Sequence, residues 1–515
     1  MQLPEVTLPT PLLPRAASAP NPSVTSASTP MATVAAAPSP STQVVLGPVN
    51  ASAAESAVYT KPTITVIYLR ESGSAQSGPI ATQVSKTLSS HLQTLNENTA
   101  PFSAGLFFSQ AGALSRETSS YFNEARSRQV AGDIAPEKAR PDFTLEAGKV
   151  TSSATLNIRT RDGDTINITL AYKGDSKHLN FSFHVEGELS EEEQLALEKL
   201  AAKLGEVADE FFRSGTAELR GLDEFDSDTF ASFSLSLSKY NGKDYDTFDY
   251  DYAIDETTGT ARLSGQDVFG YKFDISAHLS GLLNQPPTAH QSLEQYLTLI
   301  RKAGDDQDAE SSSVRFMVDG LRSMLMTKVR EPSEADIPYA RVLENYATGL
   351  PDFTATFSST RAHNPAHYAH ISSMNLNMGQ TTHLETVNNR VLIQQESFYE
   401  LNRNHWEALP GLTHADIERG NYVYVNEHIR ESTSRTLDIN AGRIADIFIE
   451  SELQWRRKEQ AFIDFKAQQI YQDEDSDSKL INLMDHFNPH VDEATNQRNL
   501  LQLLDKSRAN FFKGW

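Results

Sequence analysis

Histidines and carboxylates gather in two places along the chain, and each gathering has a chemistry it could perform. In the first, His363, His367, His370 and His383 lie close together, with Glu385 two positions further on. A metal centre needs two to four nitrogen or oxygen donors converging at about 2.0–2.2 Å, and neutral imidazole is the commonest of them. These five residues are therefore the candidate ligands of a divalent metal. Their spacing fits no helix-borne metalloprotease site, because His-Glu-x-x-His occurs nowhere in the chain. On a strand His367 and His370 would point to opposite faces. Pro365 marks a turn, so convergence would have to come from loops. The competing reading is a set of solvated loop histidines.

The second gathering is His414, Asp416, Glu418, Glu427 and His428, with Asp416 and Glu418 astride an expected helix start. Paired carboxylates with a histidine can run acid–base chemistry when burial shifts their pKa values. The sequence shows no such burial, and surface polar groups are the competing reading. Two acidic stretches bear on calcium. Asp473-Glu474-Asp475-Ser476-Asp477 opens like an EF-hand loop, but Ser478 stands where the turn needs glycine and Met484 where the ion needs a bidentate glutamate. Asp244, Asp246, Asp249 and Asp251 surround a strand, and the last two share its polar face.

Other chemistries lack their motifs. There is no phosphate-binding G-x-x-x-x-G-K-[ST], no G-x-G-x-x-G after a strand and no G-x-S-x-G elbow. Cysteine is absent, which removes thiol nucleophiles, disulfides and cysteine-held metals. The net charge of −23 opposes a broad grip on nucleic acid or anionic lipid. No run of about 18 apolar residues offers a membrane-spanning helix. The expected partner is a protein, with no nucleic acid and no membrane insertion, and no cofactor is expected beyond the candidate divalent metal.

The elements that must position these residues read as follows. Residues 1–60 hold ten of the 23 prolines and three charged side chains, so they bury too little to offset ordering and read as a disordered tail. They carry no classical signal peptide, which leaves a cytoplasmic chain or one exported by another signal. A strand is expected at 64–69 and weak helix over 79–130. Residues 142–280 alternate: Leu156 and Ile158, then Ile166, Ile168 and Leu170, then Phe181, Phe183 and Val185. Period two marks an antiparallel sheet with one covered face. Asp162-Gly163 and Asn241-Gly242 supply turns. Ser190 to Glu193 form a capping box that opens a helix with Leu197, Leu200, Leu204, Val207, Phe211 and Phe212 on one stripe. Strands return with Phe233, Leu235 and Leu237, and with Phe248, Tyr250 and Tyr252.

Beyond this, 281–345 read as helical and 351–390 as β. The region 391–515 reads as mainly helical, with a stripe of Ile444, Phe448, Trp455, Phe462 and Phe465, an acidic break at 472–479 and a last helix over 500–512. The fold class is α+β: an antiparallel sheet covered on one face by a helix, a mainly helical C-terminal half and a disordered N-terminal tail.

At Phe181–Phe212 and Phe230–Leu237 the chain resembles an uncharacterised family of Gram-negative bacterial proteins. Val185-Glu186-Gly187-Glu188-Leu189, the Glu-rich helix start and Phe233-Ser234-Leu235-Ser236-Leu237 carry the likeness over about residues 142–280. The resemblance implies a bacterial origin and assigns no site residue. The expected function is a non-catalytic structural or protein-interaction protein, exported or surface-associated. The alternative is a metal-dependent enzyme or metal-binding protein using the 363–385 cluster.

Overall fold

Period-two alternation builds far more of this molecule than the sequence alone indicates. The computed structural model describes residues 63–73, 78–143, 148–219, 228–278, 288–305, 311–326, 346–363, 367, 370–441, 443–486, 495–496, 498–499 and 512. The tail expected over 1–60 and most of the helix expected over 500–512 lie outside them. The strands are β1 (Thr63–Gly73), β2 (Ser120–Ala131), β3 (Ser152–Thr160), β4 (Thr165–Lys173), β5 (His178–Glu186), β6 (Phe230–Tyr240), β7 (Tyr245–Asp255) and β8 (Thr260–Gln266). They continue as β9 (Lys272–His278), β10 (Phe353–His363), β11 (Ile371–Val387), β12 (Arg390–Glu407), β13 (Tyr422–Asn440), β14 (Arg443–Ile463) and β15 (Lys466–Asn482). All join one 15-stranded sheet in the order β1-β2-β5-β4-β3-β6, then β7 to β15 in sequence. Every pairing is antiparallel. At about 4.8 Å between strands, the sheet is roughly 65 Å wide.

The helices are α1 (Pro79–Asn96), α2 (Gly105–Phe108), α3 (Ala111–Ser115), α4 (Glu191–Ser214), α5 (Thr288–Asp305) and α6 (Ser311–Met326). They pack on the face that carries Leu156, Ile168, Phe181, Leu235, Phe248 and Ile275, and form one core with it. The capping box opens α4: Ser190 Oγ accepts from the Glu193 amide and Glu193 accepts from the Ser190 amide. Gly215, with φ +79°, closes the helix in the left-handed conformation that glycine adopts without steric cost. The stripe from Leu197 to Phe212 is buried. Gly205 lets α2 approach α4, since a Cβ there would lie 2.8 Å from the Gly105 Cα. Tyr296 ties α5 to β11 by donating to the Gly379 carbonyl at 3.1 Å. Among the described residues no helix is long and apolar enough to cross a membrane.

The C-terminal half corrects the expected fold class. Residues 391–407, 422–440 and 443–482, expected to be mainly helical, form β12, β13, β14 and β15. The stripe from Ile444 to Phe465 mixes both faces of β14 and its turn, and the acidic break at 472–479 lies inside β15. The cause is polarity on the inward face. Gln395, Ser397, Arg403 and His405 on β12, and Glu427, Glu431, Thr433 and Arg435 on β13, are all buried where apolar residues would announce a strand. The helix expected over 79–130 is also interrupted, because residues 120–131 form β2.

Candidate interaction surface

The opposite face of the sheet carries hydrogen-bonding side chains in register. One rung crosses Asn157, Ser234, Asp251, Ser264, Asp274 and Thr356 on β3 and β6–β10. It continues through Asn377, Glu400, Arg430, Gln454 and Ser476 on β11–β15. Neighbours brace one another along it. Asn157 donates to Ser234 Oγ at 3.0 Å and Thr356 to Asn377 Oδ1 at 3.0 Å, and His428, two residues along β13 from the rung, meets Glu400 at 3.0 Å. Strands hold such side chains about 5 Å from their cross-strand partners, so the pattern is fixed by the backbone.

Three grooves lie on this face. One of about 550 Å³ includes Asn157, Asn167, His184, Ser234 and Asp251. A second, of about 350 Å³, includes Asp249, Ser264, Asp274, Thr356 and Ser358. A third, of about 490 Å³, is lined by Asn402, Asn404, Asn426, His428, Arg456 and Lys458 among others. The sharing of one strand face by Asp249 and Asp251 is thus observed, and burial followed by the neighbouring Asp249 charge raises the Asp251 pKa. At the β1–β2 end the face is covered instead. There Phe143 packs beneath the guanidinium groups of Arg70 and Arg126, 5.4 and 5.5 Å from its ring centre.

The histidine cluster divides. His367 and His370 come together in the loop after β10, their rings stacked at 5.1 Å. His370 also stacks on Tyr424 at 4.2 Å and its Nδ1 meets Tyr422 Oη at 3.0 Å. Burial and the adjacent His367 lower the His370 pKa. His383 and Glu385 are exposed and lie further along β11, His383 about 40 Å of strand beyond its start at Ile371. The backbone of His363 ends β10, and its side chain is outside the described residues. Among the described residues no group of three or more potential ligands is placed to hold a metal.

The second gathering also divides. His414 is exposed, and Asp416 forms an isolated bridge with Asn421 in a turn where a helix start was expected. Glu418 is exposed. Glu427 faces inward and His428 outward, because successive strand residues alternate. Glu427 belongs to an ionic network that the sequence reading missed. Arg403 pairs with Glu427 Oε2, and the Trp455 indole donates to Oε1 at 3.0 Å. Arg457 donates to both oxygens of Glu407 at 2.8 Å and to Glu459 at 2.6 Å, while His405 meets Glu407 at 2.9 Å. The hydrogen bond from His405, followed by those from Arg457, holds the Glu407 carboxyl down to about 2 against the opposing effect of burial. A carboxylate so held has no proton to give at neutral pH. The available signal was opposite charge at strand spacing, as in His405/Glu407 and Arg457/Glu459.

Glu407, Glu427, Arg403 and Arg457 are thus engaged by their own neighbours. No family model, curated protein or solved structure matches the chain.

Proposed function

We propose that the chain is a non-catalytic interaction protein that docks a protein partner on the outer face of its sheet. The observation that carries this reading is the polar rung running from β3 to β15 on the face opposite the helices, with two open grooves along it and a third beside it. A standard interface needs about 800 Å² from each partner, and a sheet roughly 65 Å wide supplies that several times over. Side chains already fixed by their strands lose little entropy on binding. The net charge of −23 favours a partner with a basic surface. The engaged state of Glu407, Glu427 and their arginines further supports a binding role over an acid–base one.

The test places bulk and charge on the face. Asn375→Arg with Ser264→Arg leaves the core residues untouched and should abolish co-purification of a discrete partner while the melting temperature stays within about 2 °C. Retention of the partner, or a catalytic turnover lost on Glu407→Gln, would overturn the reading.

A further inference from the structure

We infer that the outer groove across β12 to β15 binds a small anionic sugar, its oxyanion held by Arg456 and Lys458 and its hydroxyls by the amides beside them. The site goes beyond partner docking and does not rest on it. Arg456, Arg457 and Lys458 are consecutive, and strand alternation splits them. Arg457 turns inward to Glu407 and Glu459. Arg456 and Lys458 are exposed and line the groove of about 490 Å³. They stand two residues apart on β14, about 7 Å along the strand, so both can reach one oxyanion.

Register completes the groove. Asn404, Asn426, Lys458 and Gln472 form one row across the four strands, and Asn402, His428 and Arg456 form the next. The row beyond holds Trp406 and Tyr424, and the His370 ring stacked on Tyr424 at 4.2 Å bounds that end. The volume falls in the range of small-molecule sites, about 300–1,000 Å³. A lining of amides and cations suits a ligand rich in hydroxyls rather than an apolar one. A side-chain amide donates and accepts at once, as a sugar hydroxyl does. Neighbouring strands set these amides about 4.8 Å apart, close to the length of one sugar ring. A guanidinium pairs with carboxylate or phosphate through charge-assisted hydrogen bonds. Arg403 and Glu427 border the groove from the inward side, where they pair with each other. Two outer-face carboxylates adjoin the site. Glu400 accepts from Asn402 at 3.3 Å and meets His428 at 3.0 Å. Glu474 stands opposite Arg456 on β15 and competes for it.

The probes are glucuronate and glucose 6-phosphate, titrated into the full chain by calorimetry at low ionic strength, with glucose and inorganic phosphate as comparators. Saturable binding of at least one sugar anion is expected, and which one binds tells carboxylate from phosphate. Glucose and inorganic phosphate should each bind about tenfold more weakly. Arg456→Gln/Lys458→Gln should weaken the sugar anion at least about tenfold with unchanged circular dichroism. Arg443→Gln/Lys466→Gln makes the same charge change at exposed positions outside the groove and should leave affinity within about twofold. Asn426→Ala should weaken the sugar anion about fivefold and leave inorganic phosphate unaffected. Glu474→Gln should tighten binding, since it removes the carboxylate opposite Arg456. Glucose binding as tightly as the sugar anions, inorganic phosphate binding as tightly as the sugar phosphate, equal losses from the two double variants, or no binding would overturn the inference.

Discussion

Replacing Arg403 by alanine tests whether the inward ionic network is structural. Arg403 and Glu427 are each 6% exposed, and the guanidinium sits on Glu427 Oε2. Removing it leaves a nearly buried carboxylate with the Trp455 indole at 3.0 Å, and with Arg457 Nη1 at 4.0 Å. Breaking a buried pair costs about 3–5 kcal/mol, because the surviving charge is uncompensated. Arg457 is close enough to relieve part of this, so a loss of about 3 kcal/mol is expected. Urea unfolding measures it. The double variant Arg403→Met/Glu427→Leu removes both charges and should return to within about 1 kcal/mol of the parent. A single-variant loss under about 1 kcal/mol, or a double variant no better than the single, would show that the pair does not hold the strands in this way.

Other outcomes follow from local geometry. Gly205→Ala places a Cβ 2.8 Å from the Gly105 backbone and should cost about 1–3 kcal/mol in the same unfolding assay. Ser190→Ala removes the cap of α4 and should cost about 1 kcal/mol, with Glu193→Gln costing less. His91 is buried and accepts from the Ser103 amide at 3.1 Å, and burial lowers its pKa to about 4. Its contribution is complete above the unfolded value near 6.5 and is lost as pH falls through about 4, roughly 3 kcal/mol in all. Urea midpoints between pH 7.5 and 4.5 should show that slope, and His91→Gln should flatten it.

The legible parts of the sequence were those whose buried positions are apolar. Leu156, Ile168, Phe181 and Leu235 announce their strands, and Leu197 to Phe212 announce α4, because the core face selects hydrophobic side chains at the period of each element. The same rule hid the C-terminal strands. Their buried face carries Arg403, Glu427, Glu431 and Arg435, so the period of two is written in paired charge. On β14 the apolar residues Phe448 and Trp455 sit on opposite faces and imitate a helical stripe. Of the histidine cluster, only the proximity of His367 and His370 follows from their sequence spacing. The stacking of His370 on Tyr424 required β13, more than fifty residues away, to return beside it. The outer-face rung depends on register across many strands, which no local pattern contains.

The most direct test of the central claim is a photo-crosslinking scan of the two faces. Benzoylphenylalanine replaces Asn167, Asn375 and Gln454 on the outer face in turn, and Leu195, 53% exposed on α4, on the helical side. Outer-face docking predicts an adduct of one recurring partner mass from the outer positions and none from Leu195. Adducts from Leu195 alone, or from no position, would contradict it.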